Sequence, residues 1–318
     1  MPSSQPIRIG ISACLLGAPV RFNGGHKQSQ LCSDVLARHF EFVPVCPEVA
    51  IGLGTPREAI RLVGDPAAPR ARGSRRPELD VTAELDAYGR RVASELQDIC
   101  GYILMQKSPS CGMQRVKVYQ ENGYPTEGGG SGIFAAALMR ACPDLPVEED
   151  GRLNDPVLRE NFLTRVFAYA EWRRLLAAGL TPKALIAYHS RYKYQLMANS
   201  PEHYRRLGRL LADLGQQHLP ALAASYFSEL MQGLRVTATR GTHSNVLQHL
   251  VGYLKKALSR EEKYEMQQLI EQYRSGIVPL VVPLTLLKHH FRRHPDQYVA
   301  SQAYLQPHPE DLSLRNAI

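Results

Sequence analysis

Short apolar runs alternate with segments of helical periodicity over the first 145 residues; beyond them the periodicity is helical almost throughout. Arg8–Ala13 reads as a strand ending at Cys14, Glu41–Val45 as a second ending at Cys46, and Gly101–Met105 as a third running into Lys107–Gly112. Arg115–Tyr119 is a further strand candidate. Apolar spacing predicts helices over 29–40, from a cap at Asp80 or Thr82 to about Gln97, and over Ile133–Arg140. Residues 66–79, with three prolines and a run of arginines, read as a mobile surface loop. This alternation predicts an α/β domain with a mostly parallel sheet and helices on both faces.

The segment from Pro143 to Pro156 is acidic and carries several prolines, so 146–155 reads as a linker between a domain at 1–145 and one at 156–318. Helix starts then follow in series. Asp155-Pro156, Thr181-Pro182 and Ser200-Pro201 each place proline at the first helical position, and Ser259–Glu262 is a capping box. A last long helix is expected over Pro283–His294, stopped by Pro295. The second half is predicted to be all-α, with six or seven helices.

Charge separates the halves further. The net charge of +8 is uneven: residues 1–150 hold 16 Lys/Arg against 17 Asp/Glu, leaving 22 against 13, a net +9, with nine of eleven histidines, for 151–318. A basic half suits a polyanion, so RNA or nucleotide binding is expected there, with a solvated basic surface as the plain alternative. No apolar run approaches the ~20 residues that cross a bilayer. The amino terminus has no apolar signal core, so no membrane partner and a cytoplasmic protein are expected.

All six cysteines lie in the first 150 residues. In a cytoplasmic chain, disulfides are not expected, and each thiol is either a small buried apolar group or chemistry. Position separates them. Cys14, Cys46 and Cys111 stand at or shortly after strand ends, which share one edge of a parallel sheet where ligands bind. Cys100 precedes its strand and belongs at the opposite edge, and Cys32 and Cys142 go with helices. Glu48, Ser108 and Ser110 converge with the three thiols. Three thiolates could hold zinc with a fourth ligand, or three irons of a [4Fe-4S] cluster whose open iron acts as a Lewis acid; the long spacings exclude a zinc ribbon.

Ser12-Ala-Cys-Leu-Leu-Gly17, Cys46-Pro-Glu48, Thr55-Pro-Arg57, Asp80-Val-Thr82 and Lys107-Ser-Pro-Ser-Cys-Gly112 resemble the TudS thiouracil desulfidase family over about residues 7–145. The resemblance implies a [4Fe-4S] cluster on Cys14, Cys46 and Cys111 and hydrolytic removal of sulfide from a thiolated pyrimidine bound through the open iron. Glu48 would be the general base, Ser108, in preference to Ser110, the proton carrier, and Arg57 a group that orients the pyrimidine. Backbone capping is the plain role for Glu48 and Ser108. Two other functions stay open: a tRNA sulfur-transfer enzyme, for which no P-loop is found, and a nucleic-acid-binding regulator whose cluster senses oxidants. The triple glycine at 128–130 suits a tight turn or close backbone approach better than a phosphate.

The second half resembles the YbgA-type domain of uncharacterised function, carried by Arg191–Pro201, Ala238–His249, Val282–His290 and Arg292–Pro295. Its polar candidates are His189, Lys193, Arg240, His243, Asn245 and His249. No metal-binding His-Glu-x-x-His is present, and histidines bonded within the core are the plain alternative. The basic, aromatic-bearing run Lys288–His294 is suited to phosphate contact.

Overall fold

Three buried apolar strands, β1 (Ile7–Ser12), β2 (Phe40–Val45) and β5 (Ile99–Leu104), build the first sheet together with β7 (Val147–Glu149). The order is β2-β1-β5-β7, and every pairing is parallel. All six residues of β5 are buried, the continuous apolar pattern of a central parallel strand. The computed structural model describes residues 6–212, 214–215, 218–312 and 315. The chain divides into two compact units, 1–154 and 155–318. The first is mixed α/β with mostly parallel strands, and the second is helical among the described residues.

Several elements differ from expectation. The stretch 66–79 is no loop: β4 (Arg70–Gly73) pairs antiparallel with β3 (Ile60–Val63), and β3 pairs parallel with β6 (Val118–Tyr119) in a second sheet. Alternation explains it, because Ala71 is fully buried in a cluster with Leu62, Val81 and Leu85 while the arginines point outward. The strand expected from Arg115 starts only at Val118, since Arg115 lies in the left-handed region at φ 56°. The segment 29–40 forms a π-helical turn at Leu31–Val35 and a 3₁₀ turn at Leu36–Arg38, neither with a side-chain cap. Residues 146–155 are not a free linker, because Val147–Glu149 is buried and hydrogen-bonds along β5. Cys100 is the second residue of β5 rather than its predecessor, still at the amino end of the strand.

Helices α1 (Pro47–Ala50), α2 (Thr82–Glu95) and α3 (Ile133–Ala141) complete the first unit. In the second unit the cap signals act as expected. Asp155 accepts hydrogen bonds from the backbone of Val157 and Leu158 at the start of α4 (Pro156–Ala178), and Thr181 caps α5 (Pro182–Asn199). α6 (Pro201–Ala212), α7 (Leu219–Arg235), α8 (Arg240–Tyr253), α9 (Arg260–Arg274), α10 (Val281–Arg293) and the short α11 (Gln297–Ala300) follow. One core gathers around Trp172, stacked on Phe227 with ring centroids 4.8 Å apart; another gathers around Tyr273 and Tyr304. Among the described residues no helix is long and apolar enough to cross a membrane.

Candidate active site

Parallel pairing brings the carboxyl ends of β2, β1 and β5 to one edge, with Ser12 level with Val45 and Ile11 level with Ile103. Cys46 follows β2 directly, Cys14 lies two residues after β1, and the Lys107–Gly112 turn follows β5. A cavity of about 430 Å³ opens at this edge, and Cys14, Cys46, Cys111, Glu48, Ser108 and Ser110 all line it, as does Arg57. The sequence-based placement of these groups around one concavity therefore holds.

Glu48 is the centre of the polar network. It sits in the first turn of α1, which Pro47 starts. Its Oε1 accepts a 2.5 Å hydrogen bond from the hydroxyl of Ser110, a residue with no exposed surface. Ser110 Oγ in turn lies 3.0 Å from Ser108 Oγ. Ser108 Oγ accepts from the backbone N–H groups of Ser110 and Cys111, at 3.3 and 3.1 Å. Since the Ser110 proton goes to Glu48, Ser108 is left to donate to Ser110, giving a directional line Ser108 to Ser110 to Glu48. Ser110, ranked second in the sequence, is the hydroxyl that touches the carboxylate.

Arg57 is turned to Glu48 and to acceptors of the protein itself. Its Nε and Nη2 donate to Glu48 Oε2 at 2.9 and 2.8 Å. Nη2 also donates to Val20 O at 2.9 Å, and Nη1 donates to Gly54 O at 2.8 Å and to Thr55 Oγ1 at 3.3 Å. These bonds make Arg57 a clamp on Glu48, with the two side chains 5% and 13% exposed, while it still borders the cavity.

The turn carrying Ser108–Cys111 is held by close backbone packing. A Cβ on Gly132 would stand 2.5 Å from the Ser110 carbonyl, and one on Gly129 would stand 2.7 Å from Arg115 Cα. The first amides of α3 donate to this turn, Ile133 to Pro109 O at 3.1 Å and Ala135 to Ser110 O at 3.1 Å. The triple glycine thus serves close approach, and those amides are committed to the protein. Ser12, whose position at a strand end was the only hint in the sequence, accepts from Met105 N at 3.0 Å and ties β1 to the end of β5. Sequence reasoning also missed Arg21 and Lys27, which line the cavity from the loop after Cys14 with no spacing signal to mark them.

The cluster expectation fails. Among the described residues no three His, Cys, Asp or Glu side chains are grouped to hold a metal ion. Burial pushes the Cys14 thiol up to about 11, with Cys46 adding to the rise. Burial likewise raises Cys46, whose Sγ–H points to Val20 O at 3.8 Å, and raises Cys111, with the charge of Glu48 adding to it. The [4Fe-4S], iron–sulfur and metal-binding expectations are corrected accordingly, and with them the sulfur-to-iron step.

In the second unit His243 Nδ1 lies 2.9 Å from the Tyr304 hydroxyl and His189 Nδ1 lies 3.3 Å from that of Tyr226. Burial lowers both imidazoles to about 4, so they are neutral core groups. Arg240 donates to Tyr273 O and Val278 O, holding chain ends in place, and Lys193 lies over Tyr194. Asn245 and His249 are exposed.

Residues 9–150 match the model of the 2-thiouracil desulfurase family, and residues 193–309 match that of a protein family of unknown function, DUF1722. Similar proteins include YbgA of Escherichia coli (strain K12), 36% identical over 159 residues, covering 50% of this chain and 94% of YbgA. YbbK of Bacillus subtilis (strain 168) is 29% identical over 156 residues, covering 46% of this chain and 97% of YbbK. A solved structure titled as the [4Fe-4S]-dependent thiouracil desulfidase TudS is 33% identical, covering 47% of this chain and 94% of that one, with a TM-score of 0.37. The protein is thus a two-domain chain, with a desulfurase-like domain first and a DUF1722/YbgA-like helical domain second. It belongs to the YbgA family.

Proposed function

We propose that the first unit is a desulfurase that exchanges the sulfur of a thiolated pyrimidine such as thiouracil for oxygen, with Glu48 as general base. The observation that carries this reading is the line Ser108–Ser110–Glu48–Arg57 opening onto a thiol-lined cavity inside the region that matches the desulfurase family. Three hydrogen bonds use three of the roughly four lone-pair sites of the carboxylate, leaving Oε1 able to accept from water. Water adds to the carbon bearing sulfur, its proton passes to Glu48, and the thiocarbonyl electron pair moves onto sulfur. Glu48 returns that proton to the sulfur. The new hydroxyl then gives its proton to Glu48 as the carbonyl forms and hydrosulfide leaves. The balance is thiocarbonyl plus water to carbonyl plus hydrosulfide and a proton, without redox change.

The protein's other groups act on binding. Arg57 holds the carboxylate in place through Oε2. Protonated thiols at Cys14, Cys46 and Cys111 form a polarizable wall with weak S–H donors suited to a thiocarbonyl sulfur. The net +9 of residues 151–318 supports a polyanionic carrier of the pyrimidine, RNA or a nucleotide, held by the helical unit.

The test is to incubate the purified full-length protein with 2- and 4-thiouracil and follow sulfide release against loss of the thiocarbonyl absorbance. One sulfide per uracil formed, lost in Glu48→Gln, is expected. Absence of sulfide with both bases and with the corresponding nucleotides overturns the reading.

A further inference from the structure

A second cavity, of about 330 Å³, lies in the helical unit between α10 and residues 305–308, with Glu310 and Arg315 at its border. Its size is that of a small-molecule site, for which ~300–1,000 Å³ is usual. Lys288 and Arg292 reach it from α10, one turn apart on the same face, and Leu284 and Leu305 supply apolar wall. His308, buried, completes the lining.

The charges at this cavity are not equally committed. Arg315 also borders it but donates to buried Glu160 at 2.6 Å, to Tyr304 O and to Gln195, so its charge is already matched. Lys288 Nζ meets Glu310 Oε1 at 2.9 Å, yet the Glu310 side chain is 71% exposed and can leave at small cost. Arg292 is exposed and has no ion-pair partner among the described residues. His308 Nδ1 lies 3.1 Å from Pro309 O and its Nε2 lies 3.7 Å from Glu160 Oε1, so the ring is turned to the protein on both sides. Two cations beside an apolar wall remain, one of them without an ion pair among the described residues, and they suit a ligand with one anionic and one apolar part.

We propose that this cavity binds the phosphate-monoester end of a nucleotide. Lys288 and Arg292 take the phosphate, and Leu284 and Leu305 pack against the apolar face of the sugar or base. Glu310 is then a competitor that occupies Lys288 until phosphate displaces it. Either a free mononucleotide or the 5′ end of a nucleic-acid strand presents this chemistry. The proposal is independent of the desulfurase site, and it is tested with a nucleotide that has no thiocarbonyl.

The experiment titrates adenosine 5′-monophosphate and adenosine into the full-length protein by calorimetry, with Arg292→Gln, Lys288→Gln and Glu310→Gln alongside. One saturable site for the monophosphate is expected, with adenosine at least about ten-fold weaker, as the loss of one charge-assisted hydrogen bond implies. Arg292→Gln and Lys288→Gln should each weaken the monophosphate by about ten-fold. Glu310→Gln should tighten it several-fold, an effect that a purely structural Lys288–Glu310 pair would not produce. Equal affinity for nucleoside and nucleotide, or affinity indifferent to all three variants, overturns the proposal. Competition by an oligonucleotide with a 5′-phosphate but not a 5′-hydroxyl assigns the strand end, and competition by mononucleotides alone assigns the free nucleotide. Both support the monoester.

Discussion

Ser110 Oγ donates to Glu48 Oε1 at 2.5 Å across 62 residues of chain, joining the turn after β5 to the helix after β2 with β1 between them. With Arg57 on the other oxygen, the carboxylate is held from both sides in a place where little water competes. Such a preoriented, half-buried carboxylate suits a base that must meet one water in one direction.

Removing the base function without changing shape is the first expectation. Glu48→Gln should lower sulfide release from thiouracil by ~10²–10⁴-fold, the usual contribution of a general base. Ser110→Ala, which frees Oε1 to rotate, should lower it by about ten-fold. A Ser110→Ala rate equal to the parent would show that the Ser110 hydrogen bond plays no part; steady-state sulfide assays decide.

Arg57 gives a stability prediction. Arg57→Ala leaves Glu48 buried beside no cation and strips donors from Val20 O and Gly54 O, so a loss of about 3 kcal/mol is expected in urea unfolding. Arg57→Lys should recover only part of it, because an ammonium cannot serve four acceptors on different sides. Full recovery by lysine would show that charge alone matters here.

Gly132→Ala tests the packing under the turn. The added Cβ must clear a Ser110 carbonyl carbon 2.5 Å away, so either the turn or α3 has to move. Overpacking of this kind costs ~1–3 kcal/mol, and displacement of Ser110 from Glu48 should reduce sulfide release along with the midpoint of unfolding. A variant with parental stability and rate would mean that the backbone there yields without effect.

Acid sensitivity should come from the helical unit. His243 is pushed from 6.5 down to about 4, chiefly by burial and then by Arg315. Between those values the unfolded chain takes up a proton that the folded chain refuses, so stability falls as pH drops through that window and is regained as pH rises. The loss from this group is on the order of 3 kcal/mol at most. His189, lowered to about 4 by burial, acts in the same direction. His243→Gln, which has no group to titrate there, should flatten the pH dependence of urea unfolding between pH 6.5 and 4; an unchanged slope would remove His243 from the account.

Much of the helical half was legible because its signals are local. Asp155, Thr181 and the Ser259–Glu262 box each satisfy amides within three residues of themselves, so their effect does not wait for the fold. The strands leading to Cys14, Cys46 and Cys111 were equally plain, because buried parallel strands are continuous apolar runs. The β3–β4 hairpin was hidden: its alternating Arg70-Ala-Arg-Gly73 is polar in composition, and only pairing with Ile60–Val63 reveals its two buried positions, Ala71 and Gly73.

The sequence by itself determined which residues arrive at one edge of the sheet, since strand direction and length are set by patterns a few residues long. What they do there was decided by the tertiary structure. Arg57 clamps Glu48, Ser110 rather than Ser108 meets the carboxylate, Cys14 and Cys111 are buried, and no three metal ligands are grouped among the described residues. Hydrogen-bond partners and desolvation depend on atoms brought together from positions such as 20, 48, 57 and 110, and no local pattern encodes those distances.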